Sequence, residues 1–257
     1  MNKLENQMLN SLKELKEVHG VYGIKAEFEA EGARMDELIR LRELVLRSDL
    51  KFIIKIGGCE AVHDMNQCKL LGATGIMAPM IETPFAMSKF KSAAERVYGS
   101  EIDTVEWIIN AETKTCLLNY DDILSVGERF LHAVTVGRSD LSSSMGIPRS
   151  EIETQPVYNA TRVLVEKSRA KGLITNFGGN IGVESIPFII KMSDIVNRFE
   201  TRKVILKIEN NEQKLKAAIK AALHFELLYL LNKSNYYDSM SHEDDARIQR
   251  MRKQLAQ

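Results

Sequence analysis

KFIIKIG (51–57), AVHDMNQCKLLG (61–72) and TGIMAPM (74–80) follow one another with almost nothing between them, and their order decides the fold. The outer two are short apolar runs. The middle one has helical spacing and closes on Gly72, the residue type best suited to the left-handed turn that ends a helix. Strand, helix, strand in so short a span means two parallel strands joined by a crossover helix. The same alternation extends both ways from this unit. Upstream lies VYGIKAEF (21–28); downstream lie VEWIINA (105–111), HAVTVG (132–137), GLITNF (172–177) and DIVNRF (194–199). Segments of helical period, such as MDELIRLRELVLRS and NATRVLVEKSRAKG, separate many of them. An eighth run, KVILKI (203–208), follows the seventh after only a few residues, and either closes a barrel or extends beyond it.

The pattern predicts an α/β chain folded as a (β/α)8 TIM barrel. Its 257 residues match the roughly 250 that such barrels use. No Pro-, Gly- or Ser-rich linker interrupts residues 1–257, so a single domain is expected. Leu4, Met8, Leu12 and Leu15 predict an amphipathic N-terminal helix over 2–18. A C-terminal helical extension covers 211–257, with a long helix over 211–232 and a charged one from about 243. The first is apolar around much of its circumference, more than packing on one barrel flank requires, so a homo-oligomer with this helix in its interface is expected.

Acidic and basic side chains cancel, 35 against 35, leaving no basic excess for nucleic acid. Cys59, Cys68 and Cys116 form no C-x-x-C pair and no zinc pattern. An odd number of cysteines suits a reducing compartment, and Cys59 and Cys116 read as packing. No run approaches the roughly 20 apolar residues of a membrane helix. The opening MNKLENQMLNSLKELKEVHG lacks a signal-peptide pattern, so a cytoplasmic location is expected.

In a barrel of this kind the site is built at the C-terminal ends of the strands. The polar residues there are Glu27, Glu29 and Glu31, Lys55, Glu82, Asn110 and Glu112, Arg138 and Asp140, Asn176, and Glu200, Thr201 and Arg202. Glu112 in IINAET and Asp140 in VGRSDLSSSMG stand at neighbouring strand ends. Adjacent strands lie about 4.8 Å apart, so the two carboxylates can face one point. Two oxygen ligands with positions left open suit Mg²⁺. The alternative is that Asp140 caps the next turn and Glu112 pairs with a lysine.

KIGGCEAVHDMNQCKLLGATGIMAPMIETPFAMSKF, INAETKTCLLNYDDIL and VGRSDLSSSMG resemble the HpcH/HpaI aldolase and citrate lyase family, in type and order, from about residue 21 to 202. The resemblance implies that Glu112 and Asp140 hold Mg²⁺, Mn²⁺ or Co²⁺. It further implies a pyruvate- or oxaloacetate-like 2-oxo acid as substrate, and carbon–carbon lyase or aldolase chemistry through an enolate. Lys55 stands where the family's aldolases carry an Arg, which makes it a catalytic candidate together with Glu29 and Glu31; the alternative is that Lys55 serves as an ion-pair partner of Glu29 or Glu112. Asn110, Arg138, Ser139 and Arg202 are candidates for binding substrate, with a salt bridge as the alternative for Arg138.

One departure concerns proton transfer. The family's aldolases read D-x-E-H in the first of these strands; here the run is Glu27-Phe28-Glu29-Ala30, with Ala30 in place of the His. Glu31 or His63 is then the available replacement. Two further readings stay open: an acyl-CoA lyase of the citrate lyase beta type, and a barrel that binds metal and 2-oxo acid without turnover.

Overall fold

The computed structural model describes the backbone of residues 1–255 and the side chains of residues 1–238, 247, 248, 251 and 252. Its strands are β1 (Val21–Glu27), β2 (Lys51–Lys55), β3 (Gly75–Ala78), β4 (Glu106–Ala111), β5 (Ala133–Gly137), β6 (Ile174–Gly178), β7 (Arg198–Glu200) and β8 (Val204–Lys207). They pair in sequence order, and β8 returns to β1, closing a barrel of the TIM type. The seventh predicted run, 194–199, is mostly turn, and becomes strand only at Arg198.

The eighth strand enters upside down. β1 to β7 pair in parallel, but β8 is antiparallel to both β7 and β1. A parallel return needs a crossover of a dozen residues or more. Between β7 and β8 there are only Thr201, Arg202 and Lys203, so the chain can only turn back on itself. Thr201 N–H donates to Val204 O across this hairpin, and Lys25 N–H donates to Lys203 O across the seam with β1. The reversal puts the hairpin turn at the mouth of the barrel, beside the C-terminal ends of the other strands.

Strand alternation divides the apolar residues in two. Ile24, Ala26, Ile54, Ile109, Val134 and Phe199 point outward into the main core beneath the helices. Ile53, Met77, Ile108, Ala133 and Ile205 point inward and form a small apolar plug. Toward the mouth the inward positions turn polar: Lys25, Lys55, Asn110, Thr135, Asn176 and Glu200 are all buried. Barrel interiors are normally filled by branched apolar side chains, so this upper layer is built for something other than packing.

Helix α1 (Lys3–His19) opens on a reciprocal cap. The Asn2 side chain accepts from Glu5 N–H and the Glu5 carboxylate accepts from Asn2 N–H, each at 2.8 Å. The last helix packs along it. That helix, α10 (Glu212–Leu255), is continuous, where two helices were predicted. Because β8 descends, α10 starts at the base of the barrel and climbs toward the mouth. Leu215, Ile219, Ala222 and Phe225 are buried against the rest of the chain, while Leu223, Leu227, Leu230 and Leu231 are exposed. Near the top, Asn2 Nδ2 donates to Asn232 Oδ1 at 2.8 Å, and Lys233 pairs with Glu37 at 3.1 Å.

Candidate active site

Glu112 directly follows β4 and is 1% exposed. Its position is tightly specified. Met80 N–H donates to Oε1 at 3.0 Å and Asn110 Nδ2 to Oε2 at 2.8 Å. Met80 adopts a left-handed φ of 52° at the point where its amide meets Glu112, an uncommon conformation for a residue with a side chain. On the neighbouring strand, a Cβ at Gly137 would come within 2.6 Å of Glu112 Oε2, so only glycine leaves the carboxylate its place.

Burial pushes the Glu112 carboxyl above its usual range; Lys55, the Met80 amide and Asn110 oppose that push, and the charge of Asp140 adds to it. Asp140 lies in the first turn of α7 (Arg138–Ser144), which springs directly from β5. It is exposed, and no ion pair engages it among the described residues. One buried and one open carboxylate at adjacent strand ends make a donor set that fits a hard divalent cation. No group of three or more His, Cys, Asp or Glu side chains suited to a metal occurs among the described residues. Water and substrate oxygens would complete the shell.

Lys55, the last residue of β2, reaches the same point. Its Nζ lies 2.8 Å from Glu29 Oε2 and 3.6 Å from Glu112 Oε2. Glu29 is therefore placed as the partner that aims Lys55 rather than as a free acid. Glu31 is also engaged: it binds Lys203 in a short contact and Arg202 Nε at 3.3 Å. These contacts make it a clamp between the loop after β1 and the β7–β8 turn. Arg202, half-exposed, also meets Glu27 Oε2 at 3.2 Å through Nη2. His63 is exposed in the first turn of α3 (Val62–Leu71).

Arg138, read as a substrate contact or a salt-bridge partner, is wholly buried and takes the second role. It pairs with Glu153 at 2.9 Å, donates to Gly178 O and Gly179 O, and lies 4.3 Å over the Phe188 ring. It holds the loop after β6 in place. Ser139 stays at the mouth, where it abuts Gly179: a Cβ there would lie 2.6 Å from Ser139 N, and φ is +95°. Asn110 contributes through Glu112, while its Oδ1 is buried without a partner, as is Oδ1 of Asn176. Burial pushes the Cys116 thiol up to about 12, in keeping with packing.

Lys25 was not foreseen. It stands mid-strand in β1, inside the barrel, in a short ion pair with Glu200 and 3.4 Å from Glu27 Oε1. Burial pulls its pKa down, but Glu200 and Glu27 outweigh this and hold the ammonium above the ordinary lysine value. Burial likewise raises Glu27, yet Lys25, Arg202, Lys55 and Lys203 keep it below the usual carboxylate range. Lys203 goes the other way: its burial outweighs Glu31 and lowers it. The available clue was parity. Lys25 and Glu27 alternate with apolar residues in β1 as Lys55 does in β2, which places them inside.

No helix among the described residues is long and apolar enough to cross a membrane. The family model described as HpcH/HpaI aldolase/citrate lyase matches residues 41–179, more than half of the chain and the part that carries Lys55, Glu112 and Asp140. Glu27 to Ala30 and Arg202 fall outside it. No curated protein matches the sequence. Among solved structures, an HpcH/HpaI aldolase/citrate lyase family protein from Burkholderia cenocepacia J2315 aligns with a TM-score of 0.61 at 13% identity, covering 88% of this chain and 100% of that one. An HpcH/HpaI aldolase from Desulfitobacterium hafniense DCB-2 aligns with a TM-score of 0.57 at 16% identity, covering 69% and 76%. A variant of the citrate synthase SbnG aligns at 0.58 and 15%, covering 86% and 88%. At such identities the likeness is one of fold.

Proposed function

The chain belongs to the HpcH/HpaI aldolase/citrate lyase family, and from that premise we propose that it is a divalent-metal-dependent carbon–carbon lyase acting on a pyruvate- or oxaloacetate-like 2-oxo acid. The observation that carries this reading is the meeting of Lys55 with Glu112 at 3.6 Å, beside Asp140, at the mouth of the barrel. In the cleavage direction the hydroxyl proton passes to water at the open mouth, the carbon–carbon bond breaks, and its electron pair moves onto the 2-oxo group, which later regains a proton from water. An enolate and a carbonyl product result. Glu112 and Asp140 would hold Mg²⁺, Mn²⁺ or Co²⁺, which supplies Lewis acidity to the 2-oxo group. Lys55 places a positive charge where negative charge develops on the enolate oxygen. Asn110 and the Met80 amide keep Glu112 oriented, and Glu29 keeps Lys55 oriented. Ser139 and Arg202 stand at the rim as substrate contacts.

The half-reaction is testable without knowing the second substrate. Pyruvate methyl protons should exchange with D₂O in the presence of the protein and Mg²⁺, and EDTA should stop the exchange. Pyruvate that binds without exchanging would instead favour a non-catalytic barrel. The specific observation on that side is Ala30, together with the engagement of Glu31 by Lys203 and Arg202.

Metal affinity gives a second test. Glu112→Gln and Asp140→Asn each remove a charged oxygen from a set of two, and calorimetry should show Mn²⁺ binding weakened by about tenfold or more in each. A variant that binds Mn²⁺ like the parent excludes that residue as a ligand.

We further infer a homo-oligomer built through α10. Leu227, Leu230 and Leu231 project from one side of the helix and are exposed. Covering a leucine contributes about 1.5–3 kcal/mol. Sedimentation should show an assembly larger than 29 kDa that dissociates in Leu227→Asp/Leu230→Asp. A parent that sediments as a monomer at micromolar concentration overturns this.

A further inference from the structure

From the end of β1 onward the chain carries three carboxylates at alternate positions, and each is held by a cation from a different part of the mouth. Glu27 faces Lys25 of its own strand at 3.4 Å. Glu29 faces Lys55 of β2 at 2.8 Å. Glu31 faces Lys203 of the β7–β8 turn, and Arg202 bridges Glu27 and Glu31. The loop that bears Glu29 and Glu31 is short and tied at its base. Phe28 N–H donates to Lys55 O at 2.9 Å, and Ala33 N–H to Glu27 O at 3.2 Å. At its tip Gly32 N–H donates to Glu29 O at 3.4 Å, with Gly32 in the left-handed region at a φ of 54°. Glu29 and Glu31 therefore ride on one four-residue turn, and a shift of either carboxylate carries the other.

Lys203 is the fixed end of this arrangement. Its side chain is buried, with Nζ 4.4 Å over the Tyr229 ring. Its N–H donates to Glu226 at 2.7 Å, and Thr201 Oγ1 donates to the same carboxylate at 2.5 Å. Tyr229 and Glu226 both belong to α10, so the last helix seats the β7–β8 turn. The sequence of contacts runs from α10 to Lys203, to Glu31, along the turn to Glu29, and so to Lys55. Breaking a buried ion pair on one side is costly, so the Lys203–Glu31 contact is a firm anchor for a loop that has no helix or strand of its own.

We propose that Glu31 and Lys203 are positioning residues: their ion pair, seated on α10, holds the Glu29–Gly32 turn where Glu29 aims Lys55. The use of Lys55 at an enolate rests on the lyase reading above; its placement does not. Two readouts on the full-length protein separate these. Acylation by acetic anhydride, followed peptide by peptide by mass spectrometry, measures how freely each amine leaves its partner, with exposed Lys216 and Lys220 as internal references. Glu31→Gln should raise acylation of Lys55 several-fold against them and leave Lys25 at the parent level, whereas general loosening of the fold would expose both. It should also lower kcat for deuterium exchange into pyruvate by about ten- to a hundredfold, the scale expected when a catalytic group is misplaced by about 1 Å. KM for pyruvate and Mn²⁺ affinity should stay near the parent values. Lys203→Met should act like Glu31→Gln, and Lys203→Arg, which keeps the charge, should fall between it and the parent. If Lys203→Met does not fold, Glu31→Gln and Lys203→Arg still decide. In Glu29→Gln the aim on Lys55 is already lost, so adding Glu31→Gln should change neither readout further. Additive effects would overturn the proposal, as would acylation of Lys55 in Glu31→Gln at the parent rate. A parent that exchanges no protons loses the lyase reading, while acylation still decides the role of Glu31. A parent that exchanges, with Glu31→Gln indistinguishable from it, keeps the lyase reading and loses the proposal.

Discussion

Lys55→Met slows deuterium exchange into pyruvate by about 10²–10³-fold, the usual cost of removing one preorganised donor from a developing oxyanion. The expectation rests on placement. The Lys55 ammonium is almost enclosed, aimed by Glu29 at 2.8 Å, and 3.6 Å from Glu112. A charge held in a water-poor site needs no rearrangement when the enolate forms. Methionine keeps the length of the side chain and removes only the charge and its donors. Lys55→Arg should recover part of the rate, because it restores charge while its planar fork needs room that Lys55 does not. Exchange by Lys55→Met at the parent rate would remove Lys55 from the mechanism. Exchange in the parent that survives EDTA would point instead to a Schiff base, and borohydride trapping with pyruvate would show whether Lys55 carries it.

The second large effect is on stability. Lys25→Met should destabilise the fold by about 3–5 kcal/mol, because it leaves Glu200 and Glu27 as buried carboxylates without their cation. The loss would appear as a lower urea midpoint with an unchanged slope. Adding Glu200→Gln to Lys25→Met should return part of the loss, since the second change removes the charge the first one stranded. A single variant within about 1 kcal/mol of the parent would mean that water reaches the pair, and that the upper layer is wetter than its burial indicates.

The barrel could be read from sequence because its alternation is a matter of spacing, and seven of the eight runs obey the same rule. The eighth did not declare its direction through composition: KVILKI looks like any other buried strand. Its direction is decided by chain length, through the three residues before it. Glu112 and Asp140 were accessible for a related reason, since each stands at the end of a strongly apolar run. Arg138 stayed open between substrate and a salt bridge because position says where a side chain starts and not where it goes. Its length carries it back beneath the β6 loop to Glu153 and Phe188, contacts that exist only in three dimensions. Lys25 escaped because charge in mid-strand reads as a surface position until the strand is known to line a barrel.

The inverted strand also settles a hazard of open sheets. Seven parallel strands left unclosed would present unpaired backbone groups along both β1 and β7, each a template on which another chain could add a strand. β8 pairs with both. Four residues therefore protect two edges, and the protection depends on a turn too short to let the strand drift. Lengthening that turn would loosen the seam with β1 and hand the molecule a route to self-association that the closed barrel denies it.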